Sequence, residues 1–155
     1  MNTIKATFLF ITKFTLLLMV TSNVSANDNL ISVKSNHSVE QTADRFEAII
    51  KEKGLTFFTR IDHAKNASNV DLELRPTQLI LFGNPNVGTK LMQCSPTTAI
   101  DLPQKALFWE DDEGTVWMSY AKPMAMKAEH SVEGCDPIFE KITGLLANLA
   151  AAATQ

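Results

Sequence analysis

Residues 72–103 read LELRPTQLILFGNPNVGTKLMQCSPTTAIDLP, and this stretch decides how the chain folds. The apolar run at residues 79–82 predicts a strand that is buried on both faces. Gly83-Asn84-Pro85 then interrupts the strand with turn-forming residues. Residues 90–94 have room for a short helix of between one and two turns before the next proline ends it. The sequence therefore predicts a central strand, a tight turn and a short helix.

Two amphipathic helices are predicted on either side of this stretch. Ser38 and Gln41 form the capping box of the first helix, whose apolar residues recur at helical spacing until Gly54 ends it. Asp136 and Pro137 mark the beginning of the second helix, which is expected to end in a frayed tail. Both helices need an apolar surface to cover, which a sheet provides.

The remaining segments predict strands. Residues 30–35 and 55–61 are short runs rich in β-branched and aromatic side chains, and residues 105–120 predict a β-hairpin with an acidic tip. A short helix is predicted at residues 124–130. These elements predict a two-layer α+β sandwich: an antiparallel or mixed sheet of about five strands, with two long helices and a short one packed on one face.

Several blocks carry a resemblance to a known family. They are RPTQL at residues 75–79, FGNPNVGTKLMQ at 82–93, IDLP at 100–103 and the WED of the hairpin at 109–111. Together they resemble domain-of-unknown-function family 302, over roughly Ser38 to Ala150. The resemblance implies an α+β fold and association as a homodimer, and it supplies no established reaction.

The first 26 residues have the pattern of a secretory signal peptide. Lys5 and Lys13 flank an apolar segment that is too short and interrupted to span a membrane, and Val24-Ser25-Ala26 fits a small-residue cleavage site. Cleavage between Ala26 and Asn27 is expected, and an uncleaved anchor is the alternative. The mature chain, residues 27–155, would then be one exported domain, periplasmic or secreted, with no membrane attachment.

The charge of that mature chain argues against nucleic acid as a partner. Removing the two signal lysines from the 14 basic residues leaves 12 against 17 acidic residues, a formal charge of −5. A surface of this sign repels the phosphate backbone.

The two cysteines leave two alternatives open. Cys94 and Cys135 could form a disulfide in an oxidising compartment, or remain two thiols, one of them a ligand or redox group.

Five residues are candidates for one shared pocket: His63, Asn84, Cys94, Asp101 and Trp109. His63 is preferred to the two other histidines because it follows a predicted strand directly. The turn containing Asn84 has the glycine spacing of a phosphate-binding loop, but its lysine and threonine are in the wrong order, so a structural turn is expected. Gly83 and Gly88 are predicted to adopt backbone conformations that a Cβ disfavours.

Three functions are compatible with these residues. The preferred one is a non-enzymatic exported module that binds an unidentified small molecule or a metal, with no cofactor required by the sequence. The second is a thiol-dependent enzyme or redox protein in which Cys94 is the nucleophile and His63 the base. The third is a structural dimer without a ligand. The methionines and the acidic hairpin tip predict core packing and a solvated turn rather than a metal site.

Overall fold

Five strands and five α-helices make up the part of the chain that the computed structural model describes, residues 29–155. The strands are β1 Leu30–Lys34, β2 Thr56–Asp62, β3 Thr77–Gly83, β4 Gln104–Glu110 and β5 Val116–Ala121. The helices are α1 Val39–Glu52, α2 His63–Ser68, α3 Pro85–Cys94, α4 Pro123–Glu129 and α5 Asp136–Thr154, with a 3-10 helix at Pro96–Ile100. The sheet is antiparallel throughout, in the order β1-β5-β4-β3-β2. The predicted α+β class and five-stranded sheet are confirmed.

The long helices cover one face of the sheet. Phe46 of α1 contacts Phe82 of β3 edge-on, with ring centroids 4.9 Å apart, and lies 5.4 Å from Phe108 of β4. These three rings are buried, whereas Leu79 and Leu81, which alternate with the inward residues of β3, are only half-buried. The prediction that β3 is buried on both faces is therefore wrong, because the helices pack on one side only.

Helix α3 begins where a turn was predicted. The Asn84 side chain accepts a hydrogen bond from the Asn86 backbone N–H, and Pro85 occupies the first turn. Asn followed by Pro is a helix-start signal as well as a turn signal, and here the helix prevails. Gly88 lies within the helix, and neither it nor Gly83 has a positive φ. The predicted requirement for glycine at both positions is therefore wrong.

The C-terminal end of α5 is tied to α1 and is not frayed. The Arg45 guanidinium donates to the backbone oxygens of Ala152, Ala153 and Gln155 at 2.9–3.1 Å. The backbone N–H of Asn36 donates to Thr154 at 2.9 Å. These bonds occupy carbonyls that a helix end otherwise leaves without partners.

The hairpin predicted at residues 105–120 is formed by β4 and β5. The Asp111 carboxylate closes its tip by accepting hydrogen bonds from the backbone N–H groups of Glu113 and Thr115 and from the Trp117 indole. Across residues 29–155, no helix has both the length and the apolar character needed to cross a bilayer. The predicted signal peptide lies outside the described residues.

Candidate functional site

An apolar cavity of about 440 Å³ opens at the end of the sheet where β3 ends and β4 begins. Helices α3 and α5 form two of its walls, and Leu55 and Phe58, around the start of β2, form part of a third. The large apolar residues of the helical walls are Val87, Leu91 and Met92 from α3 and Ile142, Leu145 and Leu146 from α5. The cavity therefore lies beside the core, on the face of the sheet that the helices cover.

Two local features of the sequence shape this cavity. The Asn84-Pro85 pair starts α3 immediately after β3, which places the first turns of the helix along one wall. A β-bulge between Phe57 and Thr59 gives β2 one residue more than its partner strand, and Phe58 is that residue. Bulges re-aim side chains, and the ring of Phe58, 50% exposed, lies in the cavity wall beside Gly83.

Gln104 is the polar residue of greatest interest in the wall. It is the first residue of β4 and pairs with Phe82 of β3. Its side-chain Nε2 is buried and has no hydrogen-bond partner. Within residues 29–155 no other buried side-chain nitrogen or oxygen lacks a partner. Most buried polar groups in proteins are paired, so an unpaired amide at a cavity wall indicates a place where a ligand oxygen could bind. Lys141, an exposed residue of α5, adds a positive charge to the lining.

A second polar cluster lies outside the cavity. His130, after α4, places Nε2 2.9 Å from Oδ2 of Asp101 and Nδ1 3.0 Å from the Thr97 hydroxyl. Glu129 brings a further carboxylate, and the donor atoms of Asp101, Glu129 and His130 lie within 4.8 Å of one another. Asp101 is among the residues predicted from the sequence, whereas His130 is not, because it lies in polar sequence typical of a helix cap. The two residues are 29 positions apart, so no local spacing pairs them.

The two cysteines lie at disulfide distance. Cys94 ends α3, Cys135 precedes α5, and their Cα atoms are 6.7 Å apart. The bond joins the two helices that form the cavity walls. No cysteine in the described part of the chain is free, so the nucleophile of the thiol-enzyme hypothesis is oxidised in this structure.

The structure does not bring the five candidate residues together. His63 is the first residue of α2 and follows the end of β2, which lies beside the start of β3. Asn84 follows the other end of β3. Trp109 lies near the first of these ends, where its indole N–H donates to the Ser119 hydroxyl at 2.9 Å. Of the five, Asn84 alone lines the cavity. Antiparallel pairing places the end of β2, which precedes His63, beside the first residues of β3, so His63 and the start of α3 at Asn84 lie at opposite ends of the sheet. Neither His63 nor Cys94 lines the cavity.

The fold and cavity define a two-layer α+β domain with an apolar pocket at one end of its sheet. The chain belongs to the family described as "Domain of unknown function DUF302", which it matches over residues 31–149. A crystal structure of an uncharacterized conserved DUF302 protein from Bacillus stearothermophilus superposes with a TM-score of 0.74. The match covers 83% of this chain and 99% of that one at 16% identity, so the two share a fold.

Some longer proteins of similar sequence are named as ion channels. Proteins named "Fluoride-specific ion channel FluC 1" from Brucella suis biovar 1 (strain 1330) and Brucella abortus biovar 1 (strain 9-941) are each 44% identical over 106 residues. The match covers 68% of this chain but 42% and 39% of those proteins. The chain thus spans about two-fifths of their length.

Proposed function

We propose that this protein is a non-enzymatic, exported binding module for a small amphiphilic molecule with an apolar body and an anionic oxygen group. The cavity supports this function by its size and lining. Ligand pockets typically enclose about 300–1,000 Å³, are mostly apolar and contain a few polar groups that orient the ligand. At about 440 Å³, with aliphatic walls, the cavity suits a ligand such as a medium-chain fatty acid.

The buried Nε2 of Gln104 is the observation that carries the proposal. A buried N–H donor without a partner costs about 1–3 kcal/mol of folding free energy. An acceptor oxygen on a ligand would remove that cost on binding, so the unpaired amide favours the occupied state. The ammonium of Lys141 would attract a carboxylate in the same lining.

Isothermal titration of the tag-free protein with sodium decanoate tests this function. We expect one decanoate per chain, and weaker binding of decyltrimethylammonium, which has the same tail but no acceptor. Leu145→Trp should fill the cavity and lower decanoate affinity at least about tenfold. Ala147→Trp, an exposed position on the same helix outside the cavity lining, is the matched control and should bind as the wild type does.

Two results would overturn the binding function. One is the absence of decanoate binding to the folded wild-type protein. The other is binding that Leu145→Trp does not weaken. Either result would favour the structural module without a ligand.

Fluoride is a less suitable ligand for this cavity, although the longer relatives bear that ion in their names. A small, strongly hydrated anion needs several N–H donors to replace its water, and the walls are mostly aliphatic. Sodium fluoride is therefore included as a third titrant, for which we expect no heat of binding.

We further propose that the module is a homodimer formed through the sheet face opposite α1. Cross-strand pairing places apolar side chains together on that face, all of them half-buried: Leu79, Leu81, Leu107, Trp109 and Trp117. A contiguous apolar face of this kind is commonly an interface. Light scattering after size exclusion should give twice the chain mass for the wild type and the chain mass for Leu107→Lys. Ala147→Lys should remain dimeric.

A further inference from the structure

We propose that Asp101, Glu129 and His130 form a binding site for a divalent transition-metal cation, with zinc as the metal best suited to the donors. The proposal is independent of the cavity and its ligand. Asp101 follows the 3-10 helix, while Glu129 and His130 end α4. One nitrogen and two carboxylate groups thus converge from two segments that are distant in sequence.

The imidazole of His130 has a hydrogen-bond partner at each of its two ring nitrogens. Its side chain is 8% exposed, and Nδ1 lies 3.0 Å from the Thr97 hydroxyl. When Nδ1–H donates to that hydroxyl, the lone pair of Nε2 points at the carboxylate of Asp101, 2.9 Å away. A cation bound there would replace the proton that the other tautomer of His130 places between Nε2 and this carboxylate. Metal-ligating histidines commonly use the other ring nitrogen in this way to fix the tautomer and the ring.

The spacing of the donors suits a small cation. Zinc binds histidine nitrogen and carboxylate oxygen at about 2.0–2.2 Å, so the ligand atoms of a tetrahedral site are about 3.4 Å apart. The three donor atoms here already lie within 4.8 Å of one another, so modest side-chain rotations would complete the geometry. A water molecule would take the fourth position.

The local charge also favours a cation. Two carboxylates lie beside the imidazole, and the Lys105 ammonium, which donates to the backbone oxygen of Asp101 at 2.7 Å, offsets part of their charge. The cluster therefore retains one formal negative charge when His130 is neutral. Imidazole and carboxylate together are borderline ligands that suit zinc better than magnesium or calcium.

Titration of the oxidised, tag-free protein with ZnCl2 tests the site. We expect one zinc ion per chain and affinity at least about tenfold lower for Glu129→Gln and for Asp101→Asn. Glu129 is exposed, so its substitution leaves the packing intact, and asparagine at position 101 has nearly the size of the aspartate it replaces. His63→Ala is the control and should bind zinc as the wild type does. The oxidised form is required because free thiols would bind zinc by themselves.

Three results would overturn the site. They are no zinc binding by the folded wild-type protein, equal affinity of the wild type and both cluster variants, or loss of binding in His63→Ala alone. Circular dichroism of each variant separates lost binding from lost folding.

Discussion

The indole N–H of Trp117 donates a 2.7 Å hydrogen bond to Oδ2 of Asp111 and so closes the tip of the β4–β5 hairpin. Oδ1 of the same carboxylate accepts from the backbone N–H groups of Glu113 and Thr115 at 3.0 and 2.8 Å. The bond from Trp117 is the main reason that the pKa of Asp111 lies below its ordinary value of 3.8. The two backbone bonds and the charge of Arg75 lower the pKa further, against partial desolvation.

The lowered pKa predicts a pH-dependent contribution of Asp111 to stability. Because the folded state favours the carboxylate, the contribution is complete above the unfolded pKa and is lost as pH falls through the lower folded pKa. Asp111→Ala should therefore lower the melting temperature at pH 7, and the difference from wild type should shrink below about pH 3.8. Glu113→Ala at the same tip is the control. A difference that is constant from pH 7 to pH 2 would contradict this assignment.

Removing the disulfide should reduce the free energy of unfolding by about 4 kcal/mol, the chain-entropy value for a sequence separation of 41 residues. Urea unfolding with and without a reductant measures the change. The Cys94→Ser/Cys135→Ser double variant should resemble the reduced wild type and show no response to the reductant. Decanoate affinity should fall as well, since the bond joins the two helical walls of the cavity. Identical unfolding of oxidised and reduced protein would rule out a stabilising role for the bond.

Gly88→Ala should be tolerated and should raise the free energy of unfolding by about 0.5–1 kcal/mol, because alanine favours a helix interior. The added Cβ would lie 3.6 Å from Cδ1 of Leu102, an ordinary contact. Gly54→Ala should instead destabilise, since Gly54 follows α1 at φ +68°. Thermal unfolding of both variants checks the pair, and destabilisation by Gly88→Ala would mean that the first turns of α3 leave no room for a Cβ at this position.

Gln104→Met should change stability and binding in opposite directions. It removes the unpaired buried N–H and so should raise the free energy of unfolding of the empty protein by about 1–3 kcal/mol. The same change should weaken decanoate binding, because the ligand loses its donor. Urea unfolding and calorimetry measure the two effects, with the exposed Gln93→Met on α3 as control. A fall in stability would indicate that the amide already has a partner.

The mature protein is expected to begin at Asn27. Intact-mass analysis of exported material should give the mass of residues 27–155. A full-length mass in the membrane fraction would instead support the uncleaved anchor.

The sequence predicts the helices and strands better than it predicts how they pair and pack. The capping box at Ser38 and the acidic tip of the hairpin act through neighbouring residues, so α1 and the β4–β5 hairpin were predictable. The sequence predicts only the last turns of α3, because Asn84-Pro85 suits both a turn and a helix start. The position of His63 away from the cavity depends on the antiparallel pairing of β2 with β3, which chain order leaves open. The pairing of His130 with Asp101 depends on how α4 packs, a tertiary property that no local pattern records.

The hydrogen bonds from Arg45 to the last backbone oxygens of the chain affect how the C-terminal end of α5 unfolds locally. Helix ends normally exchange their amide hydrogens through local fraying, with little free energy required. Here, opening the final turn of α5 also breaks three bonds to a side chain of α1. The last turn and α1 therefore belong to one cooperative unit, and the C-terminal amides should exchange with solvent as slowly as those of a helix interior.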